Sequence, residues 1–201
     1  MRRMKRFILA SASSRRKKIL SQLGLKFRVM RSRYSEEVSP FSPKRVAPAK
    51  IVEKLALRKA KEVCRRVSDG LIIGADTVVA LPGSGGAKFV TIGKPNTVEE
   101  ARKILRRLGG TTHEVYTGVA IIDAKTGRKA VGHEVSRVRM KKLTSGQISR
   151  ISRMHLDKAG AYGVKQKNDA FVELLEGTLD NVLGMPTELL KKLFAKFGVK
   201  V

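Results

Sequence analysis

Apolar residues recur along the chain in two patterns, one typical of strands and one of helices. Continuous or alternating apolar positions predict strands at residues 7–9, 25–29, 71–81, 89–92, 112–123, 128–143 and 170–175. Apolar positions three or four residues apart predict helices before Gly24, over residues 49–67, after Thr97, after Thr144 and before Gly198. Because the two kinds of element are interleaved without a repeat or a linker, we predict a mixed α/β fold in a single domain covering residues 1–201.

The first strand leads into the first helix through a turn that is rich in hydroxyl groups. Ser11, Ser13 and Ser14 form this turn, and Arg15 and Arg16 open the helix. Free backbone N–H groups and the positive end of the helix dipole meet at such a turn, and with the two arginines they favour a bound anion. Serine is also a common N-cap residue, so an ordinary capped helix explains the same pattern.

Two further charged features have both a structural and a functional interpretation. Glu36 and Glu37 are the only acidic residues between Met1 and Val52. They either neutralise nearby cations, or one of them binds a metal ion or orients a substrate. Lys59 lies in the apolar stripe of the helix predicted over residues 49–67, from which its ammonium group either extends to water or reaches an anion site beneath the helix.

Asp76 lies at the centre of a nearly continuous apolar run. Residues 71–81, LIIGADTVVAL, have the pattern of a strand that is buried on both faces. A carboxylate is costly to bury there unless a metal ion, a cation or hydrogen bonds compensate it, so Asp76 is either an active-site group or a satisfied structural aspartate. Thr77 points to the opposite face in a regular strand. Lys94 is displayed by the tight turn after the next strand.

The charge of the chain is strongly positive. The 43 lysines and arginines outnumber the 17 aspartates and glutamates, which gives a net charge of +26. Such an excess favours an anionic substrate or partner, nucleic acid included. However, the basic residues are spread along the chain, and with seven Phe, three Tyr and no Trp there are few groups on which bases could stack. We therefore expect non-specific, salt-sensitive contact with nucleic acid.

Cysteine content and hydropathy indicate the compartment. Cys64 is the only cysteine, which excludes an internal disulfide and suits a reducing environment. No apolar run approaches the roughly 18 residues of a membrane span, and the basic start of the chain is not followed by a signal-peptide core. We expect a cytoplasmic protein without membrane contact. The three histidines lack the spacing of zinc ligands.

Together the candidate residues are suited to a polyphosphate, because arginine and lysine neutralise phosphate oxygens while carboxylates hold a divalent ion or align water. Their order resembles that of the Maf family of nucleoside triphosphate pyrophosphatases. The matching segments are LASASSRR (9–16), SEE (35–37), KA (59–60), GADTVV (74–79), GKP (93–95), TTHEVYTGVA (111–120), DKAGAYG (157–163), FV (171–172) and NVLGMP (181–186). They cover nearly the whole chain.

The resemblance implies a fold, a reaction and an assembly. The fold is the mixed α/β fold of the inosine triphosphatases, in which an elongated, twisted sheet with helices separates two lobes around a central cleft. The reaction is the hydrolysis of a nucleoside triphosphate to the monophosphate and pyrophosphate, assisted by Mg²⁺ or Mn²⁺. Members of the family are usually homodimers.

The resemblance also implies roles for individual residues. Asp76 matches the proton acceptor, and Glu37, with Glu36 beside it, joins Asp76 at the metal-linked positions. The positions that match the phosphate-binding residues are Ser11, Arg15, Arg16, Lys59 and Lys94.

Base selection is the point at which this chain departs from the family pattern. Arg16 and Thr77 match specificity positions of the branch that acts on dTTP and UTP, for which CTP or modified pyrimidine nucleotides are further candidates. The third specificity position is a glutamine in the family, but this chain has Lys165 there and Gln166 next to it. Either Gln166 substitutes through a one-residue shift, or base selection has changed. The alternatives are a house-cleaning pyrophosphatase for non-canonical or methylated nucleotides, and a nucleic-acid-binding or regulatory protein on the same fold.

Overall fold

One mixed sheet runs through the molecule. The computed structural model describes residues 6–34, 42–83, 88–164 and 171–201. The strands are β1 (Phe7–Leu9), β2 (Phe27–Val29), β3 (Ser42–Lys44), β4 (Leu71–Pro82), β5 (Phe89–Ile92), β6 (Thr112–Asp123), β7 (Lys129–Met140) and β8 (Val172–Glu176). The helices are α1 (Ser14–Gln22), α2 (Pro48–Cys64), α3 (Val98–Leu108), α4 (Ser145–Ile151), α5 (Leu179–Val182) and α6 (Thr187–Ala195), with a 3-10 turn at Ala159–Ala161. Among these described helices, none is long and apolar enough to cross a lipid bilayer.

The strand order confirms the predicted mixed α/β fold. The main path of the sheet is β2-β1-β4-β6-β7-β8, while β5 pairs with β4 and β3 pairs with β5. β1 is parallel to both β2 and β4, and the other pairings are antiparallel. β4, β6 and β7 each have 12 residues and extend the sheet well beyond the short outer strands.

The edge of β4 that faces β1 and β5 contains a gap. Residues 71–73 pair with β1 and residues 79–82 pair with β5, so residues 74–78 have no strand beside them on this edge within the described part of the chain. β1 runs parallel to β4 and ends at Leu9, whereas β5 runs antiparallel and ends at Ile92. The carboxyl ends of both strands therefore meet at the gap, which is the kind of place where ligands bind in open sheets.

The apolar core forms a lobe on each side of this gap. On the β1 side, Leu20 and Phe194 pack with one face of the sheet, while Ala56 and Val63 of α2 pack with the other. On the β5 side, a third cluster joins α3 and α4 to the far ends of β4, β6 and β7. The two lobes around a central cleft that the resemblance implied are thus present.

Two sheet glycines bring α2 very close to the sheet. A Cβ atom at Gly74 would overlap the backbone carbonyl of Ala56, and one at Gly118 would overlap that of Val52. Gly74 and Gly118 lie on neighbouring strands, at positions that face the same side of the sheet. Because side chains are absent there, the helix backbone rests directly on the strands, and this contact determines how far residues of α2 extend over the gap.

Several element boundaries differ from the predicted ones for local reasons. The strand predicted from residue 25 begins at Phe27, because the N–H group of Leu25 bonds the carbonyl oxygen of Leu20 at 3.2 Å and completes the end of α1. α2 ends at Cys64, three residues before the predicted end. The segment 177–186, for which no helix was predicted, contains α5, which Thr178 caps by accepting from the Asn181 N–H group. The pairing of β7 with β8 contains a register shift between Arg137 and Val138.

Candidate active site

A cleft of about 1640 Å³ opens at the gap in the sheet. Seven of the residues singled out in the sequence line it: Ser11, Arg15, Arg16, Lys59, Asp76, Thr77 and Lys94. The end of β1 supplies the serine turn, and the end of β5 supplies Lys94. The remaining candidates, Glu36, Glu37, Lys165 and Gln166, lie outside the described residues.

Asp76 forms an ion pair with Lys59 in this cleft. Lys59 extends from α2, and its Nζ atom donates to Oδ1 of Asp76, with 24% of the lysine side chain and 13% of the aspartate side chain exposed. The pair compensates the desolvation of the carboxylate. The ammonium group of Lys59 therefore lies in the cleft.

Asp76 and Thr77 border the cleft from opposite faces of the sheet, as the alternation of a strand predicts. Asp76 is paired in register with Gly118 on the α2 face, whereas Thr77 is paired with Thr117 and contacts Arg16 of α1. The gap beside β4 thus connects the two faces. Cations from both faces can therefore reach a single ligand.

Arg16 is held by three hydrogen bonds. Its Nε group donates to the carbonyl oxygen of Gly184 at 2.8 Å, Nη1 donates to Ser11 Oγ at 3.3 Å, and Nη2 donates to Thr77 Oγ1 at 3.1 Å. Burial lowers the pKa of Arg16, the nearby Asp76 carboxylate opposes that shift, and Arg15 reinforces it. None of the described ion pairs involves Arg16, so its charge is not neutralised by a directly bonded carboxylate.

The serine turn caps α1 and also lines the cleft. Ser13 is the N-cap of α1 and accepts from the Arg16 N–H group, and Ser11 Oγ accepts from the Ser13 N–H group at 3.2 Å. Arg15 lines the cleft, and its buried Nε atom has no hydrogen-bond partner among the described residues. Burial lowers the pKa of Arg15, and the charge of Asp157 acts against this. Arg15 therefore keeps one donor that none of the described residues uses.

Lys94 is placed where positive charges crowd together. Burial lowers its pKa, and the charges of Arg16 and Lys59 lower it further, while Asp76 and Asp157 act in the opposite direction. A ligand with several negative charges would relieve the repulsion among these cations. This electrostatic arrangement fits a polyphosphate better than a neutral ligand.

The sequence matches a known protein family over nearly its whole length. A family model described as "Maf-like protein" matches residues 6–197. The chain belongs to the Maf family. Within the family, the chain is 44% identical over 200 residues to the "dTTP/UTP pyrophosphatase" of Pelotomaculum thermopropionicum, covering 98% of this chain and 100% of that protein. The protein of the same name from Desulforamulus reducens is 41% identical, with the same coverage.

Two solved structures are similar at lower sequence identity. The Staphylococcus aureus Ham1 protein matches with a TM-score of 0.49 and 15% identity, over 97% of this chain and 100% of that one. A structure described as a nucleoside-triphosphatase / dITP/XTP pyrophosphatase from Mycobacterium abscessus matches with a TM-score of 0.45 and 14% identity, over 96% and 97% of the two chains.

The cleft of this Maf-family chain also contains polar residues that were not singled out from the sequence. Asp157 and Lys158 lie next to the 3-10 turn, with Lys158 Nζ 3.0 Å from Asp157 Oδ1 and 2.7 Å from His155 Nδ1. Burial alone would raise the pKa of Asp157, but the Lys158 hydrogen bond and the charges of Lys158 and Arg15 lower it overall. Asp157 and Lys158 belong to the DKAGAYG segment, and its resemblance to the family is the one sequence feature that could have indicated them as site residues.

One helix from which no site residue was predicted, α3, also reaches the cleft. Glu100 of α3 lines it, although its Oε2 atom accepts from the Asn96 N–H group at 2.7 Å and so stabilises the start of the helix. Thr97 accepts from the Glu100 N–H group at 3.1 Å, as the predicted capping pattern requires. Glu100 thus lines the cleft while its carboxylate is engaged at the start of α3.

Proposed function

We propose that this Maf-family chain hydrolyses a nucleoside triphosphate to the monophosphate and pyrophosphate, and that dTTP and UTP are its substrates. The observation that carries the proposal is the carboxylate of Asp76 set among the cations Lys59, Lys94, Arg15 and Arg16 in one cleft. The names of the relatives from P. thermopropionicum and D. reducens support the same choice of substrate.

In the proposed mechanism, Asp76 accepts a proton from the water that attacks the α-phosphorus. The attack forms a bond from the water oxygen to the α-phosphorus and breaks the bond between the α-phosphorus and the bridging oxygen, which leaves with pyrophosphate. The cations of the cleft stabilise the negative charge that grows on this leaving group. Arg16 is already fixed by its three hydrogen bonds, so little reorientation of its guanidinium is needed during the reaction.

A divalent ion fits this site as a partner of the substrate phosphates. The described residues hold no group of three or more His, Cys, Asp or Glu side chains that could bind a metal by themselves. Mg²⁺ is often held by one or two carboxylates together with phosphate oxygens, and Asp76 provides one such carboxylate. Glu37, with Glu36 as an alternative, is the proposed second ligand. When bound, Mg²⁺ or Mn²⁺ neutralises charge on the phosphates.

The assembly and the location are further proposals, the first resting on the family resemblance and the second on the cysteine content and hydropathy of the sequence. We expect a homodimer in the cytoplasm, with non-specific contact to nucleic acid that follows from the net charge of +26. Sedimentation velocity at physiological salt tests the dimer, which predicts about twice the 22.2 kDa mass of the chain. A single species with the mass of one chain would contradict it.

A panel of dTTP, UTP, CTP, 7-methyl-GTP and ITP with Mg²⁺, scored separately for pyrophosphate and phosphate, tests the function. We expect pyrophosphate, with the largest kcat/KM for dTTP and UTP. A clear preference for ITP or 7-methyl-GTP would favour the house-cleaning alternative and would show that Lys165 and Gln166 have changed base selection. Release of phosphate without pyrophosphate would contradict attack at the α-phosphorus.

A further inference from the structure

Behind the cleft, hydrogen bonds form a closed ring that includes Arg16. The ring consists, in order, of Arg16, Gly184, Asn181, Thr117 and Thr77. Arg16 Nε donates to the Gly184 carbonyl oxygen at 2.8 Å, and the Gly184 N–H group donates to the Asn181 carbonyl oxygen at 2.9 Å. The Thr117 hydroxyl donates to the same Asn181 oxygen at 2.8 Å. Thr77 Oγ1 lies 3.0 Å from Thr117 Oγ1 and accepts from Arg16 Nη2 at 3.1 Å, which closes the ring.

The donors and acceptors of this ring can be satisfied in one consistent way. A threonine hydroxyl has one proton, and Thr117 uses it for the Asn181 carbonyl oxygen. Thr77 therefore donates to Thr117, and its lone pairs remain available to the guanidinium of Arg16. Hydrogen bonds aligned in this way polarise one another, so the loss of one member weakens its neighbours.

The far side of the ring is fixed to the centre of the sheet. Thr117 and Asn181 are fully buried, and neither lines the cleft. The Asn181 side-chain amide donates to the carbonyl oxygen of Val115 at 3.0 Å and to Ser136 Oγ at 2.8 Å, which ties α5 to β6 and β7. Gly184 has a φ of +93°, a conformation that residues with side chains rarely adopt.

We propose that Thr117 and Asn181 are positioning residues that orient the Arg16 guanidinium toward the nucleotide. A guanidinium has five N–H groups, and the contacts to Gly184, Ser11 and Thr77 occupy three of them. The ring determines the plane of the guanidinium and hence the direction of the two N–H groups that remain for a ligand. The identity of that ligand rests on the function proposed above, whereas the orientation of Arg16 does not.

The substitution Thr117→Val tests the proposal, because it removes the hydroxyl from the middle of the ring at nearly constant volume. We expect kcat/KM for dTTP to fall roughly 10- to 100-fold, with an increase in KM, as for other misplaced binding groups. Thr117→Ser keeps the hydroxyl and should restore most of the loss. Thr91→Val is the matched control, since Thr91 is equally buried in a strand and donates to the carbonyl oxygen of Ser42 at 3.2 Å.

An NMR measurement separates positioning from folding and from the proposed reaction. In the wild-type protein, the Nε–H resonance of Arg16 should be ordered and slow to exchange with water. In Thr117→Val it should become mobile, and in Thr91→Val it should not. An unchanged Arg16 resonance in Thr117→Val would overturn the proposal. So would a Thr117→Val variant whose kcat falls only in proportion to its loss of folded protein, with KM unchanged. A wild-type protein that releases no pyrophosphate would refute the proposed function, yet the NMR comparison would still decide the role of the ring.

Discussion

At the scale of single residues, the cleft depends on Asp76. Lys59 donates to one of its oxygens, and the other candidate cations surround the space where a triphosphate would lie. An amide in place of the carboxylate has nearly the same shape but cannot accept a proton from water. Replacing one carboxylate oxygen of Asp76 by an amide nitrogen should therefore remove catalysis and leave nucleotide binding in place.

For Asp76→Asn we expect turnover of dTTP to fall by at least about 100-fold, the lower range of general-base effects. Nucleotide binding, measured by calorimetry without a divalent ion, should be retained because the cations of the cleft are unchanged. Asp123→Asn is a suitable control, since Asp123 is the last residue of β6, does not line the cleft, and accepts from the backbone N–H groups of Lys125 and Thr126. Near wild-type turnover of Asp76→Asn would eliminate Asp76 as the proton acceptor.

His113 gives a prediction about stability that is independent of catalysis. It is 2% exposed, and its Nε2 atom lies 2.9 Å from the Tyr162 hydroxyl. Burial lowers the pKa of His113 to about 4. In the unfolded chain a histidine has a pKa of about 6.5, so between these values protonation favours unfolding. The stabilising contribution is complete above pH 6.5 and is lost as the pH falls toward 4, by about 3 kcal/mol in total.

The measurement is the free energy of unfolding at pH 7 and near pH 4 for wild type and His113→Phe. The substitution leaves the Tyr162 hydroxyl without its partner, but that cost is the same at both pH values. We expect the wild-type free energy to fall more between them, by about the 3 kcal/mol above. Parallel pH profiles for the two proteins would show that His113 titrates normally in the folded state.

At the scale of elements, the contact of α2 with the sheet determines where Lys59 lies. The helix approaches β4 and β6 because Gly74 and Gly118 lack side chains. This close approach lets a lysine on the inner side of α2 reach a carboxylate on β4. Any residue that lifts the helix should therefore affect both stability and the ion pair.

We expect Gly118→Ala to destabilise the fold by about 1–3 kcal/mol, the usual cost of overpacking, because its Cβ would overlap the carbonyl of Val52. Gly146→Ala is the matched control: the nearest atom to its added Cβ is Thr144 Oγ1 at 4.0 Å, and it lies in the first turn of α4. Urea denaturation measures both. If the two variants are equally stable, α2 does not rest on the sheet as described.

The sequence predicts those site residues whose chemistry is visible within a short segment of the chain. The serine turn, Lys94 and buried Asp76 lie in short segments whose pattern already indicates their chemistry, and the structure places all of them in the cleft. Thr117 and Asn181 could not be recognised in this way. β-Propensity by itself explains a threonine in a strand, so Thr117 does not stand out in the sequence. Thr117 and Asn181 come to lie behind Arg16 only because the strand register pairs Thr117 with Thr77 and because α5 packs beside them.

At the scale of the whole molecule, the sequence predicts the fold class but not the gap in the sheet at which the cleft opens. Interleaved apolar patterns indicate an α/β fold, and the long central strands have the predicted bounds to within a few residues. The gap beside residues 74–78 arises because β1 and β5 pair with different parts of β4. Such pairing is non-local and leaves no periodic signal in the sequence.

The net charge of +26 should act on the molecule as a whole and not through the cleft. We expect binding to duplex DNA that weakens steeply between roughly 50 and 200 mM salt, because counterion release dominates such contacts. Fluorescence anisotropy of labelled DNA at several salt concentrations measures this for wild type and Asp76→Asn. We expect wild type and Asp76→Asn to show the same dependence of DNA binding on salt concentration. Affinity that persists at high salt would instead support the nucleic-acid-binding alternative.

The central claim is that the cleft at the gap in the sheet directs water to the α-phosphorus of a nucleoside triphosphate. Hydrolysis of dTTP in water enriched in ¹⁸O, followed by mass spectrometry of the products, tests it most directly. Attack at the α-phosphorus predicts that the label appears in the nucleoside monophosphate and that pyrophosphate is unlabelled. Label in pyrophosphate or in free phosphate would show attack at another phosphorus and would contradict the claim.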